Sequence, residues 1–476
     1  MHDANLMRRP YLLAVVALVA IACHGNDPAK GGAGSAPSSP QTTPSAVGPG
    51  GNGAGPEVAA AKAPEAKPEA MEAKNEPKPP EAKPTDPKSD AKPEAKNDAK
   101  PDAKPPVAKP VAAAGEPPAA GGHDFTAEAK ALLAVGACGD VPAPEGFDPK
   151  VLAAHCEIIK KAQADYLSQW VKPARSFFGE HVPGDLPKKV VYPFAGGDLS
   201  TALTVYPDAD EITTLSLEPA GDPRDLATLK GKELDAALKK VEYELKFLYR
   251  VNFSNTINMI DAMREGSLPT QLIFGLSALQ IHGYEVVALR YFKLEPDGKI
   301  HYLDDNEVAA APAPAKAKPQ VRNRIFANVE VQFKKPAGRI QVYRHIQQNL
   351  DNEHLKTDPR TLKHLEAKGA IAGMTKAASY LLSWDSFSTM RDYLTGHVAW
   401  MVSDATGVAP KWGKAAGFEY ETYGAFVGPH IPAGGSIAKD WRVEFDEEPK
   451  RELGFRFGYY DKKNANHLII MRKKKA

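Results

Sequence analysis

Cysteine is scarce: the chain has three in 476 residues. Two isolated cysteines, Cys138 and Cys156, with no paired histidine motif beside them do not make a zinc-ligand pattern, so no metal is expected. The thirteen histidines are scattered, and no H-E-x-x-H occurs. That excludes the usual helical zinc-hydrolase site. No G-x-S-x-G is present either, which removes the nucleophile elbow of α/β-hydrolases. Charge of one sign is also missing. The formal net charge is +1, so nothing favours a nucleic-acid partner. The terminal Arg472-Lys473-Lys474-Lys475 run reads as a solvated tail.

The most telling absence is regional. Between Asn26 and Gly122 there is no Phe, Trp, Tyr, Leu or Ile. Such a segment cannot bury enough apolar surface to offset the entropy of ordering it. It opens rich in Gly, Ser and Pro and continues as a degenerate Glu-Ala-Lys-Pro repeat. Lysines and acids alternate, so the chain does not repel itself, and the prolines favour an extended polyproline conformation. At about 3.1 Å per residue, some 100 residues reach at most about 300 Å. The segment reads as a tether.

Ahead of it, Arg8-Arg9 precede an apolar run from Tyr11 to Ile21, closed by Ala22-Cys23. The run is too short to span a bilayer, and its flanks are those of a secretory signal. A cysteine directly after small residues resembles a bacterial lipobox, which makes Cys23 the expected lipidation site. An ordinary signal peptide cut near Ala22, with Cys23 incidental, is the alternative. His24 follows rather than Asp, which by the same resemblance implies the outer membrane. With Cys23 acylated, Cys138 and Cys156 are an even pair in an oxidising compartment. A disulfide is expected, with buried thiols as the alternative.

The division is therefore a signal peptide at 1–22, a lipidated N-terminus and disordered tether at 23–122, and one α/β domain at 123–476. Helices are expected at 126–136, 149–178 and 225–251, then to about Arg264 and from Leu268 to Gln280. Strands are expected at 285–294 and Ile300–Leu303 about the Asp297-Gly298 turn, then at Arg324–Phe333 and Arg339–Ile346. Residues 307–320, rich in Ala and Pro, read as an exposed loop insertion. Met374–Leu382 reads as a helix. Asp385 or Ser386 caps another that ends near Gly396. Val398–Val402, Phe418–Val427 and His467–Met471 read as strands. Helices and strands mix throughout, which implies a three-layer α/β fold with a mixed sheet.

Candidate chemistry centres on residues 188–224. A β-rich run, Val190–Phe194, meets Gly196-Gly197. Asp198 stands at an N-cap, a short helix follows, and a second β-rich run, Ile212–Leu217, ends on Glu218. Strand, glycine turn, helix, strand and acid outline a nucleotide-binding half-unit. Two glycines fall short of a dinucleotide fingerprint, and Asp198 would repel a phosphate. The pattern is closer to a methyltransferase-like half, in which the acid after the second strand grips ribose hydroxyls. Pro219 after that acid departs from it, and a plain β-α-β core with a tight turn is the alternative. No cofactor is expected. On a helix Lys376 and Ser379 would share a face, as a serine–lysine dyad requires, but K-x-x-S reverses the S-x-x-K order. Asp385, Arg391, Asp392 and Asp404 offer carboxylates for glycan chemistry, or caps and ion pairs.

Four blocks resemble a family of exported bacterial proteins: YPFAGGDLSTALTVYPDADEITTLSLEP (192–219), KAASYLLSWDSFSTMRDYL (376–394), VSDATGVAPKW (402–412) and YGAFVGP (423–429). The resemblance covers about residues 170–470 and implies one contiguous domain without a catalytic assignment. It makes Tyr192, Asp198, Glu218, Lys376, Ser379, Tyr380, Arg391, Asp404 and Gly407 the positions to test. The expectation is a membrane-anchored lipoprotein presenting an α/β domain to a protein or cell-wall partner in the envelope. The competing expectation is an envelope enzyme or small-ligand binder at Tyr192, Gly196, Gly197, Asp198, Glu218, Lys376, Ser379, Arg391 and Asp404, methyltransferase-like or glycan-active.

Overall fold

Alternate residues of the first strand, β1 (Lys189–Pro193), face two different cores. Val190 and Tyr192 join one apolar cluster and Val191 the other. The period of two in an extended chain makes this so. It recurs in β8 (Val398–Ser403), where Trp400 and Val402 enter the first cluster and Met401 the second, while Val398 joins the second cluster ahead of a register shift in the strand. A sheet whose two faces are both covered is the middle of a three-layer α/β fold, as expected from the mixed pattern.

A computed structural model describes residues 121–144, 146–252, 268–316, 318–427, 435–457 and 466–474. The signal segment, Cys23, the tether and the helix expected to reach Arg264 lie outside them. The described residues belong to one compact unit. Among them no helix is long and apolar enough to cross a membrane.

The other strands are β2 (Glu211–Ser216), β3 (Glu285–Leu294), β4 (Ile300–Tyr302), β5 (Asn328–Lys334), β6 (Gln341–Gln347), β7 (Ile371–Thr375), β9 (Phe418–Gly424) and β10 (His467–Lys473). They form one ten-stranded sheet in the order β4-β3-β5-β6-β2-β1-β7-β8-β10-β9. β1 pairs in parallel with β2 and β7, β2 with β6, and β7 with β8. Counted in chain order among themselves, these five parallel strands run 3-2-1-4-5 across the sheet, the doubly wound order. β3, β4 and β5 extend one edge antiparallel, and β10 lies antiparallel between β8 and β9.

The first face carries α1 (Thr126–Val135), α2 (Pro149–Tyr166), α3 (Lys172–His181), α4 (Leu199–Val205), α5 (Gly231–Val251) and α6 (Thr270–Ile281). α2 runs into α3 through a π-helical turn at Leu167–Val171. Pro173 lies just beyond it, and a proline ring cannot continue a regular α-helical turn without displacing the carbonyl four residues back. The widened turn precedes that position and seats Trp170 and Val171 in the core. The disulfide expected between Cys138 and Cys156 is present, with Cα atoms 5.3 Å apart, and ties the end of α1 to α2.

Two local expectations are corrected. Met374–Leu382 is not one helix. Ile371–Thr375 is the buried strand β7, and a 3₁₀ turn follows at Ala377–Ser383. A central parallel strand is apolar on both faces, so it does not alternate and reads like a buried helix. Ala377, at φ 54°, breaks the chain between the two. The Ala/Pro insertion is also more ordered than a loop. Asp304 and Glu307 form a capping box that starts a helix at Asp305–Ala310, and Glu307 also accepts from Lys293 at 3.0 Å. A second short helix, Pro319–Arg322, ends on a buried guanidinium held 2.6 Å from Asp222 and also bonded to Asp225. Composition does not disclose partners 97 and 100 residues upstream.

Candidate functional site

Five parallel strands in 3-2-1-4-5 order leave a crevice where the order reverses, between β1 and β7 at their C-terminal ends. Each of four candidate residues lies just past such an end. Asp198 follows β1, Glu218 follows β2, Lys376 follows β7 and Asp404 follows β8.

Asp198 is the N-cap of α4. One carboxylate oxygen accepts from the Thr201 amide at 3.3 Å and the Thr201 hydroxyl at 2.6 Å. The other accepts from the Tyr192 hydroxyl at 3.1 Å and lies 3.4 Å from Lys376 Nζ. The Lys376 ammonium also donates to Thr201 Oγ1 at 3.3 Å and to the Asn252 carbonyl. Asn252 ends α5 in the left-handed conformation, φ 56°, and its side chain accepts from Tyr166 Oη at 2.8 Å. Lys376 and Asp198 are almost wholly buried. Burial pushes the lysine below its ordinary range, against the pull of Asp198 and Asp404. Asp404 reaches the same corner through the backbone, accepting from the Ala377 amide at 3.2 Å and the Thr406 amide at 2.9 Å.

The structure thus gathers Tyr192, Asp198 and Lys376, with Asp404 alongside. It does not gather the rest of the predicted set. Arg391 packs against the opposite core from its helix, Ser388–His397. Its guanidinium donates to the Leu382 carbonyl at 2.7 Å and stacks over Trp412 at 4.0 Å. Ser379 is not paired with the lysine ammonium. Its hydroxyl accepts from the Lys376 amide at 3.0 Å and donates to the Lys376 carbonyl at 3.2 Å, a backbone clasp rather than a dyad. The helix-face argument fails because that stretch is a strand end and a 3₁₀ turn.

The glycine turn is covered by the chain itself. Gly196 has φ 52°, and its carbonyl accepts from Gln271 of α6 at 2.7 Å. Gly197 lies so close beneath Phe274 of α6 that a methyl group there would overlap the ring. Gln271 also reaches His345 Nδ1 at 3.3 Å, and His345 Nε2 donates to the Glu218 carbonyl at 2.7 Å. Glu218 is fully buried. Gly196 and Gly197 thus lie against α6, and Glu218 lies in the interior. α6 packs directly over the glycine turn. The space left beside the cluster, between Tyr166, Trp170, Thr201, Asn252 and Phe457, is about 10 Å³, room for a single water.

Thr201, Asn252, Gln271, Phe274 and His345 were not among the sequence candidates. Asn252 alone had a signal, an asparagine where the apolar periodicity of α5 stops. A serine–histidine contact, Ser200 Oγ to His282 Nε2 at 2.9 Å, is oriented against catalysis. His282 Nδ1 faces the Arg175 guanidinium, which has no acceptor. The proton therefore sits on Nε2, and the ring donates to the serine instead of activating it.

Burial pushes His345 down to about 4, with its bond to the Glu218 carbonyl opposing. Between pH 6.5 and about 4 the unfolded chain binds a proton that the native ring excludes, so stability falls as the solution is acidified through that window. In His345→Gln this contribution vanishes. Urea midpoints of wild type and variant should diverge between pH 7 and pH 4. Parallel profiles would show that His345 titrates normally.

The chain matches no family model, no curated protein and no solved structure.

Proposed function

We propose that the chain is a membrane-anchored bacterial lipoprotein whose tether presents the α/β domain to a protein or cell-wall partner in the envelope. The observation that carries the binding reading is α6. Phe274 and Gln271 are seated on the glycine turn, so the protein's own side chains cover the backbone that a nucleotide would approach. What remains is the outer surface. The anchor rests on Arg8-Arg9, the short apolar run and Cys23. Several acyl chains would hold the protein firmly, where a single chain would be marginal. Localisation to the outer membrane rests on His24 in place of Asp.

The test is metabolic labelling with a radioactive fatty acid, followed by fractionation of the full chain. Wild type should carry label and sediment with outer membranes. Cys23→Ala should carry none and appear in the soluble fraction. Equal distribution of the two would remove the anchor.

One observation favours the second reading, a small-ligand binder or enzyme. Lys376, which burial pushes below its ordinary range, shares the switch-point corner with Asp198 and Asp404, and a perturbed group beside charged partners often marks function. That reading requires α6 to move. Titration calorimetry of the full chain with adenosyl cofactors, nucleotides and cell-wall glycan fragments separates the two. Heat that Glu218→Gln abolishes would favour a methyltransferase-like or glycan site. Heat with cell-wall fragments that survives Glu218→Gln, or no heat with any of them, favours the presented binding domain.

A further inference from the structure

His155 stands directly before Cys156 in α2 and beside the Cys138–Cys156 disulfide. A ring nitrogen of His155 and the two sulfurs all lie within 4.8 Å of one another. The ring is 3% exposed and held at both nitrogens. Nδ1 is 3.0 Å from a carboxylate oxygen of Glu242 in α5, and Nε2 is 3.2 Å from the Gly136 carbonyl. A carboxylate on one imidazole nitrogen is the arrangement that orients a metal-bound histidine and makes its other nitrogen the ligand. Two ligands on a tetrahedral zinc, nitrogen and oxygen each about 2.1 Å from the metal, stand about 3.4 Å apart. The separation of Nε2 from the Gly136 oxygen is close to that value.

The geometry points to a redox-gated zinc site. With the disulfide reduced, Cys138 Sγ, Cys156 Sγ and His155 Nε2 bind one Zn²⁺, the Gly136 carbonyl takes the fourth position, and Glu242 orients the ring. In the oxidised protein the sulfurs are bonded to each other and no site exists. The conversion balances with a phosphine or dithiol as reductant. The disulfide takes two electrons and two protons and becomes two thiols. A phosphine takes oxygen from water and becomes its oxide, whereas a dithiol closes its own disulfide. Zinc then displaces the two thiol protons, and any proton on Nε2, to solvent. The sulfurs must part to about 3.8 Å, twice the Zn–S length resolved at the tetrahedral angle. Thiolate and imidazole together suit Zn²⁺ and its spectroscopic substitute Co²⁺ and do not suit Mg²⁺ or Ca²⁺.

The site lies at the α1–α2–α5 corner, away from Lys376, and does not depend on the proposed function. Its consequence would be a chain whose N-terminal helices are cross-linked in either redox state, by a disulfide when oxidised and by a metal when reduced.

The experiment uses the full chain carrying Cys23→Ser, so that Cys138 and Cys156 are the only thiols. Reduced with a phosphine and titrated with Co²⁺, it should bind one ion per chain. Tetrahedral d–d absorption and a sulfur-to-cobalt charge-transfer band should appear, and Zn²⁺ should bleach both. The oxidised chain should show neither band. His155→Ala should lower the affinity at least tenfold, and Glu242→Gln by a smaller factor with the bands retained. Three results would overturn the site: bands of equal strength in the oxidised chain, unchanged affinity in reduced His155→Ala, or a reduced chain that unfolds and is not refolded by Zn²⁺.

Discussion

Lys376→Met is expected to cost about 3–5 kcal/mol of folding stability, because it leaves the Asp198 carboxylate buried without its cation. The lysine meets Asp198, Thr201 and the Asn252 carbonyl at once. It therefore joins the end of β7 to the start of α4 and the end of α5. Asp198→Asn should be milder. It keeps the cap on Thr201 and leaves the ammonium two neutral acceptors. The double variant Lys376→Met/Asp198→Asn no longer buries an unpaired charge and should be more stable than Lys376→Met alone. Urea unfolding of the four proteins gives the coupling energy, expected at about 1–3 kcal/mol. A loss below about 1 kcal/mol for Lys376→Met would mean that the corner is wet and the pair contributes little.

Phe274→Ala should be nearly as severe, at about 3–5 kcal/mol, the usual range for emptying a buried aromatic position. The ring is almost fully buried between α6 and the glycine turn. Gly197→Ala in the wild-type background forces a methyl into that ring and should cost about 1–3 kcal/mol by overpacking. In the Phe274→Ala background the methyl has space, so the same substitution should cost little. Near-additive losses would show that the ring does not bear on Gly197. The outcome also bears on function. If α6 is a permanent part of the core, the Phe274→Ala hole stays apolar and unliganded. If it covers a site, Phe274→Ala should bind one of the titrated ligands that wild type ignores.

Much of the first half of the domain was legible from local signals. β1, α4 and β2 follow from two β-rich runs, a glycine pair and Asp198 as a cap, and the two strands stand within a residue of their expected bounds. The disulfide followed from an even cysteine pair once Cys23 was set aside. The second half was less legible. β7 carries no alternating signal because a strand buried on both faces loses it, and only its last two residues fall in the expected helix Met374–Leu382. The helix at Gly435–Glu447 starts on glycine, a residue that signals a turn rather than a helix. Ser379 is a candidate through its spacing from Lys376 and Arg391 through the resemblance, yet their side chains serve a backbone clasp and local carbonyls.

The sequence by itself determined the low-aromatic tether, the signal-like start, the mixed α/β pattern and the acid that follows each of two parallel strands. These rest on composition, periodicity and capping, which act over a few residues. Only the tertiary structure decided that Lys376 meets Asp198 from 178 positions away, and that α6 closes over Gly197. Strand order settles both. β7 returns to the far side of β1 after the chain has built β3 to β6, and that crossover is fixed by the burial of whole sheet faces, which no local window contains.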